Sequence, residues 1–311
     1  MHNISSISPE ISLYVHPFAT PITWEDFVQV GSYAIALDGY VPGPTRYSDA
    51  GPHASFDHHH GVDRLSTRAT CAQVLMSIRM GLFQRFRDEQ GPRADVFVND
   101  CDEDVCLSWA LLCRPDMCQS ASNPLINRLV AAEDMLDSTA GMYPFPADAP
   151  LLRELAWIFE PYRLFRQSGG LQRGKAIEFR SIIDDVAGRV FLHVVGRGRE
   201  VSLDTRYEVL HRGRGWTAVQ EIGANARAGM FADGIRAFVS VRQLDKQRWA
   251  YAIGKASSFI PLDLEDLTNT LNNAEACTLD RWGGGNVIMG SPRAGGSTLS
   301  PDSLFAILDR A

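Results

Sequence analysis

The stretch Ala54-Ser55-Phe56-Asp57-His58-His59-His60 decides how this chain is read. A short strand of small and apolar residues runs directly into a carboxylate and three of the chain's eight histidines. Imidazoles and a carboxylate at a strand end are metal ligands and proton carriers that a rigid backbone can hold in place. A purification tag would sit at a terminus, and this run is internal. Upstream, Tyr33-Ala34-Ile35-Ala36-Leu37 reads as a strand ending at Asp38-Gly39, before the turn-rich Pro42-Gly43-Pro44. Downstream, Ser66 or Thr67 is positioned to cap a helix. Its apolar residues Ala69, Ala72, Leu75, Ile78, Leu82, Phe83 and Phe86 recur at helical spacing until Gly91-Pro92 stops it. Asp95-Val96-Phe97-Val98-Asn99 then reads as a buried strand, and Val105 to Leu112 as the opening of the next helix.

Strand and helix alternate, so the expected fold is α/β: an N-terminal, mostly parallel sheet flanked by helices, with a smaller α+β C-terminal domain across a cleft. A helix is expected from Pro150 to Phe165, and Ser168-Gly169-Gly170 breaks the chain after it. The expected domains are therefore residues 1–167 and 186–311, joined by a linker over 168–185. Strands are expected at Arg189–Val195, Tyr207–His211, Trp216–Ile222, Ala237–Val241 and Trp249–Ile253, followed by a helix over Leu264–Ala276.

The 311 residues carry a formal net charge of −7, and the charge is unevenly placed. Residues 1–159 hold 10 basic and 20 acidic side chains, residues 160–255 hold 17 and 10, and residues 256–311 hold 3 and 7. An acidic cluster calls for a cation and a basic segment suits an anion, while net acidity disfavours a protein that tracks long duplex nucleic acid. Arginine makes up 27 of the 30 basic residues, which fits genomic composition as well as phosphate recognition. No run reaches the roughly 18 apolar residues of a membrane span. Met1-His2-Asn3-Ile4-Ser5-Ser6 lacks the order of a secretory signal, and the six cysteines form no CxxC pair; the expectation is a cytoplasmic protein with no membrane partner.

Asp38, Asp57 and the run Asp100-Cys101-Asp102-Glu103-Asp104 each follow an expected strand. Groups just beyond the carboxyl ends of parallel strands line the ligand crevice of an open α/β sheet, so these carboxylates and histidines would converge there. Like charges that close raise one another's pKa unless a cation sits among them, and two divalent ions would resolve the conflict. Mixed carboxylate and imidazole donors favour Mn²⁺, Mg²⁺ or Fe²⁺, with zinc or cobalt open. An EF-hand loop starting at Asp100 is excluded by Val105 and Leu111 at the positions that need Gly and Glu.

Together, Asp57-His58-His59 after a strand, Asp38 ending an earlier one and Asp100-x-Asp102-x-Asp104 entering a helix resemble the DHH phosphoesterase superfamily. Gly283-Gly284-Gly285-Asn286 and Gly290-Ser291-Pro292-Arg293-Ala294-Gly295-Gly296-Ser297 are similar to the glycine-rich, substrate-gripping motif of the DHH-associated C-terminal domain. The resemblance covers residues ~30–300. It implies a metal-dependent phosphohydrolase with two divalent ions, most often Mn²⁺ and otherwise Mg²⁺, Co²⁺ or Fe²⁺. It implies Asp38, His58, Asp100, Asp102 and Asp104 as metal ligands and His59, with Asp57 of the same triplet, as catalytic residues, His59 meeting the scissile phosphate. A further aspartate is expected from Glu133-Asp134-Met135-Leu136-Asp137, with Asp134 preferred over Asp137, whose place before Ser138-Thr139 also suits a cap. His60 is expected in a supporting or solvent role.

Gly284, Gly285, Asn286, Ser291 and Ser297 are the implied substrate contacts, and Arg293 and Lys255 are suited to clamp a distal phosphate or base. The glycines allow close approach to an anion and equally suit plain turns. Trp216, Trp249, Tyr251 and Trp282 favour a base-bearing substrate or simply fill a core. Three departures from the family pattern stand out: the Asp-x-Asp run follows the triplet instead of preceding it, Val105 replaces a glycine and Asn286 replaces a histidine. The expected substrate is a small nucleotide or short oligonucleotide. An inorganic pyrophosphatase or short-chain polyphosphatase is one alternative, and a non-catalytic nucleotide sensor on the same fold is another. A homodimer is compatible with this reading.

Overall fold

The structure, a computed structural model, describes residues 10–118, 123–285 and 287–310. Asn286 and the first nine residues lie outside the described residues. The chain divides into two compact units, 1–138 with 153–201 and 139–152 with 202–311.

The strands of unit 1 are β1 (Glu10–Val15), β2 (Ala34–Leu37), β3 (Arg46–Ser48), β4 (His53–Phe56), β5 (Arg87–Asp88) and β6 (Gly91–Val98). Its helices are α1 (Trp24–Phe27), α2 (Thr70–Arg79), α3 (Leu82–Arg85), α4 (Glu103–Cys113), α5 (Pro115–Cys118) and α6 (Pro124–Ser138). They continue as α7 (Pro150–Ile158), which runs across the boundary between units, α8 (Glu160–Gln167), α9 (Gly170–Arg173) and α10 (Ala176–Val194). The sheet order is β1-β6-β2-β4-β3, with β5 beside β6. The pairs β1–β6, β6–β2 and β2–β4 are parallel, and β3 and β5 pair antiparallel at the margins. A parallel sheet is covered on both faces, and β2 and β4 are accordingly buried at every position. Helix α4 is buried nearly all round and packs against α2 and α10.

Unit 2 holds β7 (Tyr207–Arg212), β8 (Thr217–Glu221), β9 (Ala237–Gln243), β10 (Trp249–Lys255), β11 (Gly283–Gly284) and β12 (Ile288–Gly290). Its helices are α11 (Ala226–Ala232), α12 (Leu264–Ala274) and α13 (Pro301–Leu308). The sheet order is β11-β12-β10-β9-β8-β7, and only the β8–β9 pair is parallel. Val239, Val241, Tyr251 and Ile253 bury one face against Leu267 and Leu271 of α12 and Leu304 and Phe305 of α13. Phe238 and Val219 on the other face meet Met230 and Phe231 of α11.

The α/β class with a largely parallel first sheet stands, but several expected elements are corrected. The run expected as a strand at Arg189–Val195 is the end of α10, whose buried Phe179, Ile183, Val186, Ala187 and Val190 recur at helical spacing. Its β-branched residues read as a strand only when taken without the turns before them. The expected linker over 168–185 is likewise helical, α9 and the first half of α10, and belongs to unit 1, while unit 2 takes residues 139–152 from the first half of the chain. The helix after the histidine run ends at Arg79, where Gly81 takes a φ of 106°. Gly91 opens a strand instead of stopping that helix. The expected 150–165 helix is two, α7 and α8, with Pro161 in the first turn of the second.

Leu107 of α4 is fully buried, so Leu107→Ala should lower stability by about 2–5 kcal/mol through lost burial and an unfilled cavity, read by urea denaturation.

Candidate metal centre

Strands β6, β2 and β4 are neighbours with their carboxyl ends at one edge, which brings the segments after Val98, Leu37 and Phe56 together. The amide of Asp38 extends the β2–β4 ladder by donating to the Phe56 carbonyl at 2.8 Å. Asp38 itself has a φ of 50°, a strained conformation for a residue with a side chain, and Gly39 follows at 80°. A Cβ on Gly39 would stand 3.1 Å from the His60 ring, so glycine serves both the turn and the close approach.

Asp38, His58, Asp104 and Asp137 are buried or nearly so and surround one imidazole. His58 Nε2 lies 3.5 Å from Asp38 Oδ1, 3.6 Å from Asp104 Oδ2 and 2.6 Å from Asp137 Oδ2. His59 Nε2 is 3.1 Å from the same Asp38 oxygen. Ligand atoms of Asp38, His58 and His59 form one compact group, and those of His58, Asp104 and Asp137 a second that shares His58. Around an ion with bonds of about 2.1 Å, neighbouring ligand atoms stand about 3.0–3.5 Å apart. The Asp38 separations of 3.5 and 3.1 Å match that spacing and the 3.6 Å of Asp104 lies just beyond it, while the 2.6 Å of Asp137 is shorter. His58 Nε2 and Asp137 Oδ2 are close but poorly aligned for a hydrogen bond, and neither makes one to any other described residue. Such a pair is costly unless a cation or a shared proton satisfies it. The residues therefore fit a divalent metal ion, and the donor set is the carboxylate-imidazole kind.

Further carboxylates crowd the same edge. Asp102 caps α4 by accepting from the Val105 amide at 2.9 Å, and Asp100 accepts from Cys101 at 2.7 Å. Neither joins the two compact groups. Burial first, and then the charge of Asp38, hold Asp102 and Asp104 well above the usual carboxylate range. Glu133 is raised by burial and by Glu103, and Glu103 is itself pushed up to about 7, chiefly by burial. Asp137 goes the other way: burial would raise it, but His58 and Arg64 together hold it below its usual value.

The structure separates Asp137 from Asp134 and reverses the order of preference given by the sequence. Asp137 joins the cluster, whereas Asp134 accepts from the Ala69 amide at 2.7 Å and pairs with Arg68 at 3.2 Å. Asp104 accepts from the Thr70 and Cys71 amides at 2.7 and 2.6 Å. The first turn of α2 is thus capped by two carboxylates from α4 and α6, and Ser66 and Thr67 do not cap it. Asp57 has a supporting position: fully buried, it accepts from the His59 amide at 2.8 Å and from the Gly43 amide, and it holds His60 Nδ1 at 2.8 Å.

Sequence reasoning missed four residues here. Arg64 binds Asp137 Oδ1 at 2.8 Å, Thr70 Oγ donates to Asp38 at 2.9 Å, and Glu103 and Glu133 bring buried acid beside the cluster. The signal for Glu133 was its place one helical turn before Asp137, which puts both on one face of α6.

In unit 2 the implied substrate contacts are largely engaged within the protein. Lys255 Nζ donates to the Leu262 carbonyl at 2.6 Å. The Arg293, Ala294 and Gly295 amides all donate to Asp280 at 2.7–3.0 Å, so the anion that this glycine-rich loop approaches is the chain's own carboxylate. Ser297 donates to Glu275 at 2.8 Å, and Ser291 Oγ accepts from the Tyr251 amide at 3.0 Å. A Cβ on Gly284 would lie 2.3 Å from the Ile288 carbonyl, so the β11–β12 hairpin requires that glycine. Gly285 is open, the Arg293 side chain is exposed, and Asn286 lies outside the described residues. No known family model matches this chain, and no curated protein sequence matches it.

Asp137→Ala should abolish high-affinity divalent metal binding. Asp134→Ala should leave metal content intact and lower stability by about 0.5–2 kcal/mol through the lost cap; metal analysis and urea denaturation separate the two. The raised carboxylates also set a pH dependence for metal-free protein. Groups whose folded pKa exceeds the unfolded one bind extra protons when folded, so stability falls as pH rises from about 4.5 through about 7, the value reached by Glu103. Melting temperatures measured in chelator should therefore drop between pH 5 and 8, and a divalent ion should reverse the drop.

Proposed function

We propose that this chain is a divalent-metal-dependent phosphohydrolase acting on a small phosphorylated molecule, a nucleotide or short oligonucleotide. The observation that carries the reading is the convergence of three carboxylates, Asp38, Asp104 and Asp137, on the buried His58 Nε2 at 3.5, 3.6 and 2.6 Å. The side-by-side order β6-β2-β4 supports the resemblance to DHH phosphoesterases, because the permuted motif order still delivers the three acidic segments to one edge. Two ions with manganese preferred are what the resemblance implies, and the hard and borderline donors are compatible with manganese, magnesium, cobalt or iron. A cytoplasmic setting accords with six free cysteines.

Asp38, His58, Asp104 and Asp137 would hold metal, and Arg64 keeps the Asp137 carboxylate turned so that its other oxygen faces His58. A bound divalent ion supplies charge neutralisation at a phosphoryl oxygen and a more acidic water. His59 is the proton carrier. Its side chain is 29% exposed, and although burial lowers its pKa, the hydrogen bond and charge of Asp38 outweigh that and raise it. A proton held on Nε2 is then available to a phosphate or leaving-group oxygen near neutral pH.

Release of phosphate or nucleotide should be measured with Mn²⁺ over a nucleotide bisphosphate, a linear dinucleotide, a cyclic dinucleotide and pyrophosphate. Turnover of a nucleotide is expected, and His59→Gln should lower kcat by about 10²–10⁴ while metal content stays unchanged. Release from pyrophosphate alone would make the chain an inorganic pyrophosphatase. Tight nucleotide binding without turnover would make it a sensor.

A further inference from the structure

Unit 2 has a cavity that the glycine-rich motif does not form. It has a volume of about 680 Å³ and is lined in part by Glu221, Arg227, Ser240, Arg242, Ala250 and Ala252. Register explains why it exists. Ser240 pairs with Ala252 and Arg242 with Ala250 across β9 and β10, so these four side chains share the sheet face that carries Phe238. Met230 and Phe231 of α11 pack around Phe238, while Ala250 and Ser240 are only partly buried. Small side chains there leave a flat, shallow floor.

Two guanidinium groups stand over that floor, and they differ in constraint. Arg227 is fixed: its Nε meets Glu221 at 3.1 Å and its guanidinium lies 5.3 Å from the centre of the Phe238 ring. Arg242 is exposed, and its guanidinium has no hydrogen bond or ion pair among the described residues. One glutamate against two arginines leaves a net positive charge in a cavity within the about 300–1,000 Å³ range of small-molecule sites. The fork of a guanidinium matches a phosphate's paired oxygens, and its plane stacks on an aromatic ring.

We propose that this cavity binds a nucleoside monophosphate moiety, with Arg242 taking the phosphate and the Ala250–Ala252–Ser240 floor lying under the planar base. The choice of a nucleotide rests on the proposed phosphohydrolase reading; the site itself rests on the register, the cavity and the unpaired arginine. It gives unit 2 a substrate contact in place of Lys255, Ser291 and Ser297, whose side chains are engaged within the protein.

The test is isothermal titration of the full-length chain in chelator, with adenosine 5′-monophosphate as the probe and adenosine and inorganic phosphate as comparators. One site per chain is expected, with both comparators weaker. Arg242→Ala should weaken the nucleotide by about tenfold or more. Ala250→Trp, which fills the floor, should abolish binding. No binding by the native chain, equal affinity in Arg242→Ala, or adenosine as tight as the nucleotide would overturn the proposal. Arg242-dependent binding in a protein without hydrolase activity leaves this site standing and removes the proposed function. Turnover with the KM for a nucleotide substrate unchanged in Arg242→Ala removes this site alone.

Discussion

Mutual repulsion among buried carboxylates is the constraint on which unit 1 is built. Asp38, Asp104 and Asp137 converge on His58, with Asp102, Glu103 and Glu133 close enough to raise or be raised by their neighbours. Full desolvation of even one unpaired carboxylate is expensive, and several in one place cannot all ionise without compensation. The protein supplies part of that compensation. Arg64 takes one oxygen of Asp137, Thr70 donates to Asp38, and the positive end of α2 takes Asp104. The remainder is left to a proton or a cation, and the geometry around His58 suits a cation.

This arrangement links the candidate site to the placement of α2. The helix begins without a cap from its own sequence, because Ala69 occupies the N-cap position and offers no side-chain acceptor. Its amides are instead taken by Asp104 of α4 and Asp134 of α6. Asp104 faces both the helix and His58, so a change of charge at the cluster is felt at the first turn of α2. Asp57 performs a related task for the histidine run: its carboxylate ties the backbone of His59 and the ring of His60, leaving His58 and His59 turned toward Asp38.

Much of this was legible in the sequence wherever the cause was local. Apolar runs ending in Asp38, Asp57 and Asp100 announce strands whose ends carry charge, and the parallel sheet brings them together. The sequence ranked Asp134 above Asp137 and the structure reverses the order, because which of them faces His58 depends on how α6 rotates against α2 and α4, a tertiary fact. The Arg189–Val195 segment misleads because β-branched residues have strand preference in isolation, and burial along α10 overrides it. In unit 2 the glycine-rich stretch was read as gripping a substrate anion or as a plain turn, whereas the amides of residues 293–295 meet a carboxylate of the chain itself. That the anion is Asp280 depends on a hydrogen-bonding partner 13 residues from Arg293, which spacing alone does not reveal. Arg242 carried no motif at all; only the strand register shows that it stands over a floor of small residues.

The central claim is that the carboxylates around His58 are arranged for a divalent metal ion. Anomalous diffraction from crystals grown with Mn²⁺ tests it most directly. The account predicts an anomalous peak at bonding distance, about 2.0–2.6 Å, from His58 Nε2 and from oxygens of Asp137 together with Asp38 or Asp104. A map with no peak at His58, or with peaks only at carboxylates elsewhere on the surface, would contradict it.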